Sequence, residues 1–106
     1  MVSKRLTGLQ LEIPPEDAIV ACRAAIRGLE WELAESGEGR LTAREDAARL
    51  PCRDWPAEIE VEVGAAPGER TMLTLAGFVP GRGPLSSRHL SASLGVLEDA
   101  IRRRIG

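Results

Sequence analysis

The chain has 106 residues, of which 43% are hydrophobic and 28% are charged. A chain of this size hides roughly 65% of its extended surface on folding, which suffices for one stable core without disulfides or metal. The formal net charge of −2 argues against a nucleic-acid-binding protein, and no apolar run reaches the ~20 residues of a membrane span. We therefore expect a single domain over residues 1–106.

Two compositional features bear on the source and location of the protein. All but one of the 14 cations are arginine, which is typical of a bacterial genome rich in G and C. The first twenty residues lack the layout of a signal peptide, because Glu12, Glu16 and Asp17 are acidic. We expect a cytoplasmic protein. Cys22 and Cys52 are too far apart for a zinc or disulfide framework, and no metal or cofactor is predicted.

The first predicted elements are a strand over residues 5–13 and a helix over residues 16–27. Hydrophobic and polar side chains alternate along the strand, as they do in a half-buried strand. The helix has one apolar stripe, made of Ile19, Cys22, Ile26 and Leu29. Gly28 stands where a left-handed residue commonly ends a helix. Since this helix would bury only one face, we expect it to lie on a sheet.

Alternating residues over 31–35 and 40–44 predict a hairpin around the turn 36–39. Residues 45–57 are ambiguous between a short helix, a continued edge strand and an irregular connector that contains two prolines.

The second half of the chain contains the clearest elements. Residues 58–63 alternate between β-branched residues and glutamates, which predicts a strand that turns at 64–68. Residues 71–78 are apolar on both faces, which predicts a central strand that is covered on both sides or lies at an interface. A long helix over 85–104 follows, with an apolar stripe of Leu90, Leu94, Leu97, Ile101 and Ile105.

The order β-α-β-β-(β)-β-α predicts an α+β fold with an antiparallel sheet of four to five strands and two helices on one face. This order resembles the TATA-binding-protein-like arrangement. It is also similar to a small helix-grip fold, as in the Bet v 1 and polyketide cyclase-like group. The second resemblance implies a pocket between the last helix and the sheet. We expect that space to be filled, because the helix side chains facing it are mostly leucine and isoleucine.

The segment before the last helix is the best chemical candidate in the sequence. A glycine-rich turn leading into a helix presents free backbone N–H groups, where the helix dipole favours an anion. Two arginines there oppose the dipole, which favours a negative ligand between them. The predicted binding residues in 81–89 are Arg82, Gly83, Ser86, Ser87, Arg88 and His89. The alternative is a simple capped helix start, with one of the serines as N-cap.

The sequence shows no catalytic motif, and no catalytic residue is predicted. His89 is the only histidine, and a general-base role would need a carboxylate or hydroxyl that folding brings to it. Trp31 and Trp55 are candidates for lining the mouth of a pocket, although a buried position in the core is the alternative.

Two charged runs are interpreted as solvated surface. Glu58, Glu60 and Glu62 would project from one sheet face with neighbours about 6–7 Å apart, and a solvated face is favoured there over a metal or acid–base cluster. The arginines at 102–104 end the last helix, where positive charge complements the helix dipole.

Two functions from different classes are consistent with these observations. The favoured one is a non-catalytic binding module for a small apolar ligand or a protein partner, with a homodimer as a further option. The alternative is a small enzyme or anion-binding protein that uses the 81–89 loop. No nucleic acid and no membrane is expected among the partners.

Overall fold

The computed structural model describes residues 3–35, 37–46, 48, 50, 56–80 and 84–105. Its elements are β1 (Ser3–Leu11), α1 (Pro15–Gly28), β2 (Glu32–Glu35), β3 (Arg40–Arg44), β4 (Glu58–Ala66), β5 (Arg70–Val79) and α2 (Pro84–Ile105). The strands form one antiparallel sheet in the order β1-β5-β4-β3-β2. The predicted α+β architecture with a long C-terminal helix is confirmed. Neither helix is long and apolar enough to cross a bilayer.

Alternation along the strands gives the sheet one buried and one open face. In β4, the buried Ile59 and Val61 alternate with exposed glutamates. β5 lies between β1 and β4, so the prediction of a central strand is confirmed. The helices cover only one of its faces, however, and Met72 on the other face is 44% exposed. The apolar character of that second face is therefore not explained by packing within the chain.

Helix α1 packs through smaller side chains than its predicted stripe contains. The buried residues are Ala18, Ala21, Cys22, Ala25 and Ile26. Ile19, the first member of the predicted stripe, is only half-buried. The predicted buried face of α1 was shifted from the observed one because the prediction considered only large residues, whereas three alanines are buried there. Small side chains allow a helix to lie close to its neighbours, and α1 contacts α2, β2 and β4.

The end of α1 differs from the predicted one. Gly28 remains within the helix, and the left-handed residue is Glu30, with φ of 59°. The backbone N–H of Glu30 donates to Arg27 and that of Trp31 donates to Ile26. This pair of bonds closes the helix as a Schellman motif does, two residues later than glycine alone indicates.

Two strand ends are also displaced from their predicted positions. β1 ends at Leu11 and not at residue 13, and the carbonyl of Ile13 instead accepts a 2.7 Å hydrogen bond from Thr71 Oγ1. β4 continues through residues 64–66, so the turn begins later than predicted. Positive φ angles at Gly68 and Glu69 make that turn.

Helix α2 lies directly on β5 at Gly77. A Cβ at this glycine would stand 2.7 Å from Leu90 Cδ1 and 3.3 Å from Leu94 Cγ, so a side chain here would require the two leucines to shift away from the strand. Leu90 and Leu94 are 1% and 5% exposed, and Leu97 and Ile101 of the predicted stripe are also buried. The space between α2 and the sheet is therefore filled here, as expected.

We predict that two glycine-to-alanine substitutions shift stability in opposite directions. Gly77→Ala should lower the free energy of unfolding by about 1–3 kcal/mol, because its methyl group overpacks against α2. Gly95→Ala is the matched control, since a Cβ there meets nothing within 4 Å. It should raise stability by about 0.5–1 kcal/mol through helix propensity. Urea denaturation of both variants tests this, and a neutral Gly77→Ala would contradict the close approach of α2.

Burial also governs the chemistry of the only cysteine that the structure describes. Desolvation raises the pKa of the Cys22 thiol from 9.0 to about 12, so the folded thiol stays protonated and unreactive.

We predict a corresponding loss of stability at alkaline pH. Between pH 9 and about 12, the unfolded chain releases the Cys22 proton while the folded chain retains it. Unfolding is then favoured by up to about tenfold per pH unit. The stability difference between wild type and Cys22→Ala, measured by urea denaturation, should therefore be constant below pH 9 and shrink above it. A difference that does not change with pH contradicts the prediction.

Candidate functional site

The described part of the 81–89 segment forms the first turns of α2. Ser86, Ser87 and His89 are half-buried, whereas Arg88 is exposed. Arg82 and Gly83, and also Trp55, lie outside the described residues, so an anion site that includes them stays a prediction. Among the described residues of this segment, His89 contacts a distant part of the chain.

His89 belongs to a polar cluster centred on Glu45. The Glu45 Oε1 atom lies 2.9 Å from His89 Nε2 and accepts a 2.9 Å hydrogen bond from Ser93 Oγ. It also accepts a bond of 2.9 Å from the backbone N–H of Ala57. The side chains of Glu45 and His89 are 10% and 19% exposed, and Ser93 is 4% exposed. We call Glu45, His89 and Ser93 the carboxylate cluster.

The anchoring of α2 on the sheet positions the helical half of this cluster. His89 and Ser93 each precede one of the two leucines that rest on Gly77. Residues four apart lie one above the other on a helix, about 100° around the axis from their neighbours. The same contact that seats Leu90 and Leu94 on β5 therefore turns the imidazole and the hydroxyl towards Glu45.

Strand alternation positions the carboxylate. Leu41 and Ala43 of β3 are buried, so the next residue with the same parity, Glu45, also points towards the helices. The strand ends there, but the backbone N–H of Glu45 still donates to the carbonyl of Ala57 at 3.1 Å. Through its backbone and its side chain, Glu45 thus joins the two ends of the connection between β3 and β4.

Trp31, one of the predicted pocket residues, lies at the same end of the sheet. The register of β2 with β3 pairs Glu32 with Arg44. Trp31, the residue before β2, therefore lies opposite Glu45, the residue after β3. Trp31 is partly buried and packs against the hydrophobic core, whereas a role in lining the mouth of a pocket stays a prediction.

The carboxylate cluster does not have the geometry of a catalytic triad. A nucleophilic serine must donate its proton to the base, whereas Ser93 donates to Glu45. The cluster instead fixes the imidazole of His89, because a carboxylate that accepts a hydrogen bond from one ring nitrogen sets the direction of the other ring nitrogen. Among the described residues, Nδ1 of His89 has no hydrogen-bond partner.

The charged runs behave as surface in the structure. Glu58, Glu60 and Glu62 are exposed on the open face of the sheet, where Glu62 lies 3.5 Å from Arg40. Arg102 lies 3.5 Å from Glu98, one helical turn away. No group of three or more metal-ligating side chains occurs in the part of the chain that the structure describes.

Glu45 and Ser93 are the site residues that the sequence interpretation missed. Both carried a recognisable signal. Glu45 continues the inward parity of β3, and Ser93 follows His89 by four residues beside the leucine stripe. Polar residues at inward positions of a strand and a helix predict a buried polar contact, but the ambiguity of residues 45–57 concealed the first of them.

Comparisons with known proteins give structural matches without sequence matches. No family model and no curated protein matches the chain. A protein of Nitrosospira multiformis solved by structural genomics has a TM-score of 0.66 at 7% identity, covering 98% of this chain and 97% of its own. The ZhuI aromatase/cyclase of Streptomyces sp. R1128 has a TM-score of 0.56 at 13% identity, covering 99% and 92%.

The protein Ara h 8.0201 is a further structural match, with a TM-score of 0.59 at 11% identity and 98% of both chains covered. Structural matches at sequence identities this low show the fold alone. These matches, together with the order of strands and the long helix α2, show that the chain has the helix-grip fold of the Bet v 1-like proteins. The resemblance to the TATA-binding-protein-like arrangement stays a prediction.

Proposed function

We propose that this protein is a non-catalytic binding module for a small apolar molecule with a hydroxyl group. The ligand would bind at the end of the helix–sheet layer, against His89 of the carboxylate cluster. The observation that carries the proposal is the 2.9 Å contact between Glu45 Oε1 and His89 Nε2 in a half-buried position. On sequence grounds we also propose a bacterial, cytoplasmic protein.

The contacts of the cluster favour a ligand that donates a hydrogen bond. A neutral imidazole that donates from Nε2 to Glu45 has its lone pair on Nδ1, which is then an acceptor. Glu45 Oε1 already accepts from Ala57 and Ser93 as well. Nδ1 of His89 is thus one acceptor for a ligand, and a hydroxyl group is a suitable donor.

The packing of the layer limits where the body of the ligand can lie. α2 rests on β5 at Gly77, so an apolar molecule cannot lie between helix and strand at that point. The end beyond Leu90 differs, because half-buried Trp31 and His89 meet the solvent there.

A chemical reaction at the same place is less well supported. Ser93 does not donate to the imidazole, so the arrangement of nucleophile, base and orienting group is incomplete. The alternative of an anion-binding or enzymatic 81–89 loop rests on Arg82 and Gly83, which the structure does not describe. We therefore favour binding over catalysis.

We predict that the carboxylate cluster stabilises the fold whether or not a ligand is bound. Glu45→Ala should lower the free energy of unfolding by about 2–4 kcal/mol, because three donors lose their acceptor. Glu45→Gln keeps an acceptor oxygen and should lose less. Glu60→Ala, on the open sheet face, is the control and should change stability by less than about 0.5 kcal/mol. Urea denaturation separates these cases, and equal losses for Glu45→Ala and Glu60→Ala contradict the role of the cluster.

We predict that 2-naphthol binds the protein more tightly than 2-methoxynaphthalene does. The two probes share an apolar body, but only the first donates a hydrogen bond. The ratio of dissociation constants should be at least about tenfold, because a buried acceptor left unpaired is costly. Titration followed by amide chemical shifts should move the signals of Glu45, Ala57, His89 and Ser93.

A pair of variants assigns the effect to the imidazole. His89→Phe should abolish the preference for 2-naphthol, whereas Ser87→Ala, two residues away, should retain it. Circular dichroism establishes that both variants are folded. Equal affinity for the two probes, or shifts confined to the open face of the sheet, would disprove the proposed ligand site.

A further inference from the structure

The open face of the sheet has an apolar strip that no part of the chain covers. Leu6 of β1 is 73% exposed and Met72 of β5 is 44% exposed. Ala76 and Phe78 lie between exposed and buried on the same face. Lys4 Nζ stands 5.7 Å from the centroid of the Phe78 ring, so the strip has a positive charge at one end.

On the same face, two strands away from β1, a depression lies level with Leu6. Its lining includes Thr42, Glu60, Thr74 and Ala76. The register pairs Leu6 with Ala76, Ala76 with Glu60, and Glu60 with Thr42. The protruding Leu6 and the depression around Glu60 are therefore in one row across the sheet, on opposite sides of β5.

This arrangement is self-complementary about β5. Strands β1 and β4 each lie about 4.8 Å from β5, one on either side. A two-fold axis along β5 would lay β1 of one copy over β4 of a second copy, and the reverse. Leu6 of each copy then faces the depression of the other, so that both contacts form at once, as an isologous interface requires.

Charged residues on this face are arranged with the same two-fold symmetry. In the row next to Leu6, Lys4 and Glu58 both stand beside Phe78, on opposite sides of β5. The same axis would place Lys4 of one copy against Glu58 of the other, twice in each pair. Glu58 and Glu60 have no ion-pair partner among the described residues, whereas Glu62 has Arg40. Of these two carboxylates, Glu58 is the one that the axis brings to Lys4 of the second copy.

The contact between the two copies would be of modest size. With the axis along β5, the second strand from the edge, only β1, β5 and β4 of the two copies overlap. These strands are nine to ten residues long, about 30 Å, and three strands are about 14 Å wide, so each copy covers about 430 Å². A total of about 860 Å² is in the range of weak interfaces whose formation depends on concentration. We propose that a second copy of this chain covers the open sheet face, with Leu6 seated in the depression around Glu60.

Sedimentation equilibrium of the full chain tests the proposal. The wild type should approach twice the mass of the chain as its concentration rises over roughly 1–500 µM. Leu6→Asp should weaken the dimer at least about 100-fold, because the substitution enters the interface twice. Val20→Asp is the matched control: Val20 is 61% exposed on α1, away from the sheet face, and its substitution should leave the dimer intact.

A charge exchange tests the orientation independently. Lys4→Glu should weaken the dimer, and the double variant Lys4→Glu with Glu58→Lys should restore it. Circular dichroism establishes that every variant is folded. A wild type that is monomeric throughout, a dimer that Leu6→Asp leaves unchanged, equal weakening by Val20→Asp, or a double variant without restoration each overturns the proposal.

Discussion

The contact between helix α2 and strand β5 at Gly77 determines most of what this molecule can do. Because this residue has no side chain, Leu90 and Leu94 rest on the strand backbone and close the layer at that point. The same contact fixes the rotation of α2, and with it the direction of His89 and Ser93. A single backbone position thus both fills the interior and assembles the carboxylate cluster at its end.

The size of the chain explains why these two consequences occur together. In this chain of 106 residues, the buried core and the partly buried side chains packed against it include most of the large apolar residues. A chain of this length can complete a core or enclose a wide cavity, but hardly both. The helix-grip fold is retained while α2 packs directly on the sheet at Gly77, so the two proposed contact sites lie at the end of the layer and on the open face of the sheet.

The element order and the leucine stripe of α2 follow from local periodicity, which is why the sequence alone predicts them. The inward side of α1 does not follow from periodicity, since Ala18 and Ala21 are buried for their small size and not for their hydrophobicity. Glu30 ends that helix through backbone hydrogen bonds, which the position of a glycine does not predict. The carboxylate cluster does not follow from local sequence either, because only the folded sheet brings Glu45 to His89, 44 residues later in the chain.

The bonds that Glu45 forms with Ala57 also have a consequence for how this chain could diversify. They fasten both ends of the stretch between β3 and β4 to each other, and the bonds to α2 fasten that junction to the core. Residues inserted between the two ends would not strain the sheet, because each doubling of such a stretch costs only about 0.6 kcal/mol in closure entropy. The junction is thus a natural place for new sequence to be inserted beside the proposed ligand site without rebuilding the scaffold.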